Sequence, residues 1–208
     1  MKKTTLYVFA WVVIFIADSR LKAQGTIYLS NLGETGAGYS VGGGWQSFQT
    51  GISSNGYNLN SVTLVMGNWL GNASNFLVSI RADDAGQLGT SLATLNGNSD
   101  PETAGEYNYT ASNLILNPDT VYWILVNCDS FSPNPFFPSG GYAWQGTLSP
   151  NYFFAGDWVA NRVGNSFGSA SVFQFAVNAT AVPEPASLAL FVFGFACLAR
   201  ACSIKTKI

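Results

Sequence analysis

Apolar residues alternate with polar ones over short stretches in the middle of the chain, and Gly, Asn, Ser, Asp and Pro separate these stretches. This period of two predicts β-strands with one buried face, and residues 24–182 show no convincing 3.6-residue helical period. The predicted strands are Thr26–Leu32, Trp45–Thr50, Leu59–Gly67, Phe76–Arg81, Ser91–Leu95, Glu106–Thr110, Leu114–Leu116, Val121–Cys128, Tyr142–Gln145, Tyr152–Phe154 and Val172–Asn178.

Three of these stretches predict which side chains are buried. Phe76–Arg81 alternates, with Phe76, Val78 and Ile80 on one face. Leu59–Gly67 alternates as well, and it groups Leu59 with Ser61 and Thr63. The opposite face carries Val62, Leu64 and Met66. Val121–Cys128 is apolar on both faces, which is typical of a central strand that is covered on both sides.

About ten short strands at near-regular spacing predict an all-β fold, an antiparallel β-sandwich or jelly roll. The turn residues agree with this fold class. Asp83-Asp84-Ala85-Gly86 is suited to closing a hairpin, and Asn117-Pro118-Asp119 places proline where a type I turn favours it. The Gly-, Pro- and Ser-rich residues 130–141 predict a long loop and a candidate binding rim.

The N-terminus has the pattern of a secretory signal peptide. Lys2 and Lys3 precede an uninterrupted apolar run, Leu6–Ala17, and Ala23 offers a cleavage point before Gln24. The run is too short to cross a hydrocarbon core of about 30 Å easily. We therefore predict a signal peptide over residues 1–23, in the form of a helix, with an ordinary buried N-terminal helix as the alternative.

The C-terminus carries a second apolar segment. Pro183-Glu184-Pro185 forms a stiff, exposed junction, because two prolines fit neither a helix interior nor a central strand. The apolar run Leu188–Ala199 then predicts a transmembrane helix, and the basic residues Arg200, Lys205 and Lys207 hold its end on the cytoplasmic side. Residues 183–208 are thus a tail behind a body of residues 24–182.

This tail resembles the PEP-CTERM sorting signal of Gram-negative bacteria, which joins a Val-Pro-Glu-Pro motif, a hydrophobic helix and a short basic end. The resemblance implies recognition by an exosortase, a membrane enzyme that removes the tail during export in bacteria that make exopolysaccharide. The apolar run is shorter and the basic end more dilute than in the usual pattern, so a simple membrane anchor is the alternative. The matching motif residues are Val182, Pro183, Glu184 and Pro185.

The body resembles bacterial choice-of-anchor domains, most closely the type R group. The resemblance covers most of residues 26–178 and rests on the order of its segments, since each one alone is ordinary hairpin chemistry. It implies a surface-exposed β-sandwich, and the family has no assigned catalytic residues that could be transferred to this sequence. The segments are Gln46-Ser47-Phe48, Leu59–Leu64, the Asp83–Gly89 turn that leads into Leu92–Leu95, and Leu116–Trp123.

Charge and composition exclude several classes of function. The body holds nine acidic and two basic residues, so nucleic acid is not an expected partner. The chain has no histidine, which excludes Ser-His-Asp and Cys-His catalysis and histidine metal sites. Cys128 is the one cysteine of the body, so no disulfide forms within it. We predict no cofactor and no metal site.

Three further sites are weighed against a plain structural role. Trp69, Trp144 and Trp158 have polar neighbours that suit glycan stacking on loops, whereas Trp123 is predicted to be core. Glu102 and Glu106, near Asp100, are the candidate carboxylate pair of a glycan hydrolase, although a solvated turn explains them better. Asp83 and Asp84 are candidate calcium ligands, but a hairpin turn is the better interpretation.

The leading hypothesis is an exported, non-enzymatic protein of the cell surface or extracellular matrix, anchored in the inner membrane as a precursor. Its expected partners are an exosortase, the membrane through the tail helix, and exopolysaccharide. The alternatives are a carbohydrate-binding module and, less favoured, a glycan hydrolase.

Overall fold

The computed structural model describes residues 25–37, 39–41, 43–68, 70–71, 75–127, 140–148, 151–164 and 172–183. Regular structure within these ranges consists of strands only. The strands are β1 (Thr26–Ser30), β2 (Tyr39–Val41), β3 (Gly43–Gln49), β4 (Tyr57–Met66), β5 (Leu70–Gly71), β6 (Leu77–Asp84), β7 (Gln87–Thr94), β8 (Gly105–Leu116), β9 (Val121–Asn127), β10 (Gly140–Gly141), β11 (Ala143–Thr147), β12 (Phe153–Phe154), β13 (Val159–Gly164), β14 (Val172–Phe173) and β15 (Phe175–Ala181).

The strands form two main antiparallel sheets and a short β5–β10 ribbon. Sheet I has the order β12-β1-β15-β4-β11-β14, with β8 paired to β4 and β2 paired to β11. Sheet II has the order β13-β3-β9-β6-β7. The predicted all-β, sandwich-like class is confirmed, whereas the jelly-roll connectivity stays a prediction. The predicted terminal helices and the 130–139 part of the long loop lie outside the described residues.

The hydrophobic core combines side chains from both sheets. From sheet II, Phe48, Ile80 and Ile124 are fully buried, and from sheet I, Leu64 and Val177 are fully buried. The side chains predicted to be buried in Phe76–Arg81 are all in this cluster. Burial raises the pKa of the Tyr109 and Tyr152 phenols at its edge.

A bulge in β4 corrects the predicted alternation. The pairing of β4 with β15 shifts between Leu59 and Ser61, whose partners Ala179 and Asn178 are consecutive, so Asn60 is the extra residue. An extra residue reverses which face the following side chains occupy. Leu59 is therefore buried in the core, although the simple alternation grouped it with Ser61 and Thr63.

A second bulge explains why two predicted strands are one. The segments Glu106–Thr110 and Leu114–Leu116 both lie in β8, because residues 111–113 form a bulge opposite the single residue Asn60. Asn113 has a φ of 57°, a left-handed conformation that asparagine tolerates better than most residues. The polar sequence at this point marks the bulge and not the end of the strand.

The last predicted strand is interrupted where it changes partners. Phe173 in β14 pairs with Gly146 of β11, whereas Phe175 in β15 pairs with Leu64 of β4. Gln174 lies between them, and its backbone N–H donates to the carbonyl oxygen of Gln145 at 2.8 Å. One continuous chain thus links two parts of sheet I.

Buried amides satisfy the backbone groups on either side of this interruption. The Asn31 side chain donates to the Phe173 carbonyl at 3.0 Å and accepts from the Phe175 N–H at 2.7 Å. The Gln46 side chain of sheet II accepts from the Phe173 N–H at 3.3 Å. Both amides are almost fully buried, and buried backbone groups need such partners.

β9 is the middle strand of sheet II, as its two apolar faces predict. Trp123 is 7% exposed, but it lies outside the core cluster, since its neighbours Tyr122 and Ile124 face the core. Its indole N–H donates to the Asp83 carboxylate at 2.8 Å. Trp123 is buried as predicted, on the opposite face of the sheet from the core.

We predict that Asn31→Ala lowers the free energy of unfolding by about 2–4 kcal/mol, because it leaves a buried carbonyl and a buried N–H without their partners. The exposed amide of Asn58 provides a control, and Asn58→Ala is expected to change stability by less than about 0.5 kcal/mol. Urea unfolding followed by tryptophan fluorescence measures both values. Equal stabilities for the two variants would contradict the role assigned to Asn31.

Candidate sorting junction

The body ends on a central strand of sheet I. β15 lies between β1 and β4, and its last residue, Ala181, pairs with Tyr57. Both neighbours run antiparallel to it, so the backbone is bonded on two sides over most of its length. The segment that follows therefore leaves the sandwich from the interior of a sheet.

Two hydrogen bonds continue the attachment beyond β15. The Val182 N–H donates to the carbonyl oxygen of Gly56 at 3.0 Å. The side-chain amide of Asn55 donates to the carbonyl oxygen of Pro183, also at 3.0 Å. Residues 182 and 183 are thus held by the loop between β3 and β4, which we call the junction loop (residues 50–56).

The junction loop closes in a tight turn that requires glycine. The Gly56 N–H donates to the Ser53 carbonyl at 2.9 Å, and Gly56 has a φ of 76°. A Cβ at this position would also overlap the carbonyl oxygen of Leu116. Gly56 therefore supplies both the left-handed conformation and the close backbone approach that the turn needs.

Neighbouring loops fix the rest of the junction loop. The Asp119 N–H donates to the Gly51 carbonyl at 2.9 Å, and the Asp157 carboxylate accepts from the Ile52 N–H at 2.9 Å. The Thr50 hydroxyl, which is buried, donates to the Asn117 carbonyl at 2.6 Å. These bonds join three loops into one end of the sandwich.

The carboxylates at this end accept from protein donors. Asp119 accepts from the side-chain amide of Gln49 at 2.7 Å, and Asp157 accepts from the junction loop. Nearby, the Asn117 N–H donates to the Tyr122 phenol at 2.8 Å, and burial raises the pKa of that phenol. The carboxylates at this end therefore serve the structure of the loops.

The N-terminal strand starts at the same end of the sandwich. Thr26 pairs with Ala179, two residues before β15 ends. The side-chain amide of Asn178 donates to the Gly25 carbonyl at 3.2 Å. The first described residues and the start of the tail therefore lie at one end of the body, beside neighbouring strands.

The structure describes only the first two of the predicted sorting residues. Val182 and Pro183 are placed as above, whereas the remaining motif and basic residues lie outside the described part of the chain. These are Glu184, Pro185, Arg200, Lys205 and Lys207. Among the described residues, no helix is long and apolar enough to cross a membrane.

Two of the three tryptophans proposed for glycan stacking are core residues. Trp144 is fully buried and stacks on Phe173, with ring centroids 4.4 Å apart. Trp158 is 2% exposed and stacks between Tyr28 and Phe48. Neither ring offers a face to a sugar in this structure, and Trp69 lies outside the described residues.

The candidate carboxylates lie in turns and at strand ends. Asp100 accepts from the Tyr142 hydroxyl, and the Glu102 N–H donates to the Asp100 carbonyl at 3.0 Å, so this segment is a turn before β8. Glu106 is exposed near the start of β8. Asp83 accepts from the Gly86 N–H in the β6–β7 hairpin as well as from Trp123. The predicted hairpin at Asp83–Gly86 is confirmed.

Sequence reasoning missed the role of Asn55 and Gly56. The Asn-Gly dipeptide is a strong turn signal, so the turn itself could have been predicted from the sequence. Its contact with the tail was not, because Asn55 and Pro183 are 128 residues apart in the sequence.

Comparison with known families supports the identity of the tail. Residues 181–201 match the model of the PEP-CTERM protein-sorting motif. No curated protein and no solved structure matches the chain. The matched segment begins at the last residue of β15, and it supports export by exosortase-type sorting through a membrane-anchored precursor.

We predict that Gly56→Ala destabilises the protein by about 2–4 kcal/mol, because strain at positive φ adds to the overlap with the Leu116 carbonyl. Gly86 is a matched control, since its φ is 81° and a Cβ there would meet no atom within 4 Å. Gly86→Ala should cost about 1 kcal/mol. Thermal and urea unfolding measure the stability of both variants. Equal losses of stability would show that the close approach of Gly56 to Leu116 is unimportant.

Proposed function

We propose that this chain is a non-enzymatic protein of the cell surface or extracellular matrix, delivered when an exosortase removes its C-terminal tail. In this proposal the body is a choice-of-anchor domain of the type R kind. The observation that carries the proposal is the position of the sorting motif, which begins where the last strand of the body ends.

The completeness of the body without the tail supports this function. The described core draws only on residues before Val182, and β15 has both of its neighbours within the body. Removal of residues beyond Pro183 breaks no strand pairing of the described sheets. A sandwich released in this way keeps its core, which is the property that a cleavable sorting signal requires of its cargo.

The distribution of charge suits an exported passenger that interacts through neutral groups. The described acidic residues lie in turns, loops and strand ends, and the middle of the outer face of sheet I carries amides and hydroxyls. The described side chains of this region therefore offer a partner no charged group.

The mass of the intact protein tests the proposal. In a host with an exosortase, we expect a chain that begins near Gln24 and ends near the sorting motif, recovered from the surface or the medium. In the same host without the enzyme, the chain should keep residues up to Ile208 and stay in the membrane fraction. Retention of the tail in both hosts would contradict processing, and the protein would then be a simple membrane-anchored sandwich.

Binding of neutral glycans is a second candidate function, and the outer face of sheet I favours it. In three successive cross-strand rows, from Thr63 to Asn58 of β4, the described residues include no charged side chain. Several polar groups are bonded to one another across strands, as in Asn60 to Asn178 at 2.9 Å. The polar members are Ser30, Asn58, Asn60, Ser61, Thr63, Asn108, Thr110, Asn178 and Thr180.

We predict that the protein is retarded in native gels that contain a neutral glucan, and that Asn58→Leu combined with Asn108→Leu weakens the retardation at least threefold. Both side chains are exposed on this face, and each offers an amide to sugar hydroxyls. Ser91→Leu, an exposed position on β7 of sheet II, should not alter the retardation. Equal mobility of all variants with and without glucan would contradict glycan binding.

A further inference from the structure

The start of the sorting tail is held by the body through two separate contacts. The backbone of Gly56 bonds to residue 182, and the side chain of Asn55 bonds to residue 183. The first contact extends the sheet-like pairing of β15 by one residue. The second comes from a side chain, so it is the one that a substitution removes without altering the backbone of the loop.

The loop that makes these contacts is itself fixed in place. Gly51 and Ile52 are bonded to the loops that contain Asp119 and Asp157, and Gly56 packs its backbone against Leu116. Asn55 is half-buried, so its amide lies close to the surface from which the tail departs. Residue 183 therefore has a defined position relative to the end of the sandwich.

Only a short segment connects this fixed point to the predicted membrane helix. Residues 184–187 separate Pro183 from the apolar run that begins at Leu188. Four residues span at most about 14 Å when fully extended. An enzyme that acts on Glu184-Pro185 must work within that distance of the sandwich, so the position and direction of residue 183 decide how the motif is presented.

We propose that Asn55 is a positioning residue for tail removal, and that its bond to the Pro183 carbonyl aims the sorting motif at the processing enzyme. This inference rests on the proposed function of exosortase-dependent sorting. A segment that is already held in its productive direction loses less conformational freedom when the enzyme binds it. In this proposal Asn55 acts on the motif through Pro183.

The test follows processing of the full-length chain by pulse-chase in a host that carries an exosortase. Asn55→Ala should slow loss of the tail about fivefold, the rate change that corresponds to one ordinary hydrogen bond. Asn55→Asp should slow it at least as much, because a carboxylate of the same shape has no N–H to donate. Asn127→Ala, an exposed amide at the opposite end of sheet II, should be processed like the wild type.

A spacer separates positioning from stability. Six Gly and Ser residues inserted after Pro183 uncouple the motif from the fixed point, so the wild-type and Asn55→Ala chains should then be processed at equal rates. The urea midpoints of the two chains should also agree, because Asn55 bonds to the tail at an exposed site. A fivefold difference that persists with the spacer would overturn the positioning role.

The outcomes distinguish this inference from the proposed function. Wild-type processing that depends on the exosortase, with equal or faster processing of Asn55→Ala, would overturn the positioning role alone. Retention of the tail by the wild type in both hosts would overturn the proposed function and the positioning role together. Slower processing of Asn55→Ala that the spacer abolishes supports both.

Discussion

The change of strand partners at Gln174 is the constraint on which the rest of sheet I depends. A chain that leaves β11 and joins β4 exposes backbone groups at the crossing, and this crossing is buried. The Asn31 amide satisfies one group on each side of Gln174, and Gln46 reaches across from the other sheet. Because burying unpaired backbone groups is costly, these two amides fix where β15 begins and thus where it ends.

The position of β15 determines how the tail is attached. A tail that followed an edge strand could detach together with that strand at the cost of one row of backbone hydrogen bonds. β15 is instead paired on both sides, with β1 and β4. Force or cleavage beyond residue 183 therefore acts on a segment that the body holds firmly. The same register places Thr26 beside Ala179, so both ends of the body face one direction.

Alternation along the chain was sufficient to predict the fold class and most strands, because inward-facing residues such as Val78 and Ile80 keep a strict period of two. It failed where the period was interrupted: the bulge at Asn60 moved Leu59 to the core, and the break at Gln174 divided a strand. It also missed β13, whose pairing shifts between Ala160 and Val163.

Trp144 and Trp158 have polar neighbours in sequence, but their burial depends on rings from distant strands. The sorting motif could be predicted from the sequence because its residues are contiguous. The contact of Asn55 could not, because it joins residues that are far apart in the sequence.

The proposed tail removal and the proposed glycan binding use different surfaces of the body. The junction loop lies at one end of the sandwich, among loops whose carboxylates bond to backbone and amide donors. The neutral outer face of sheet I runs along the strands from that end, and it includes no residue that holds the tail. A change in the loops that alters processing should therefore leave the face intact, and a change on the face should leave processing intact.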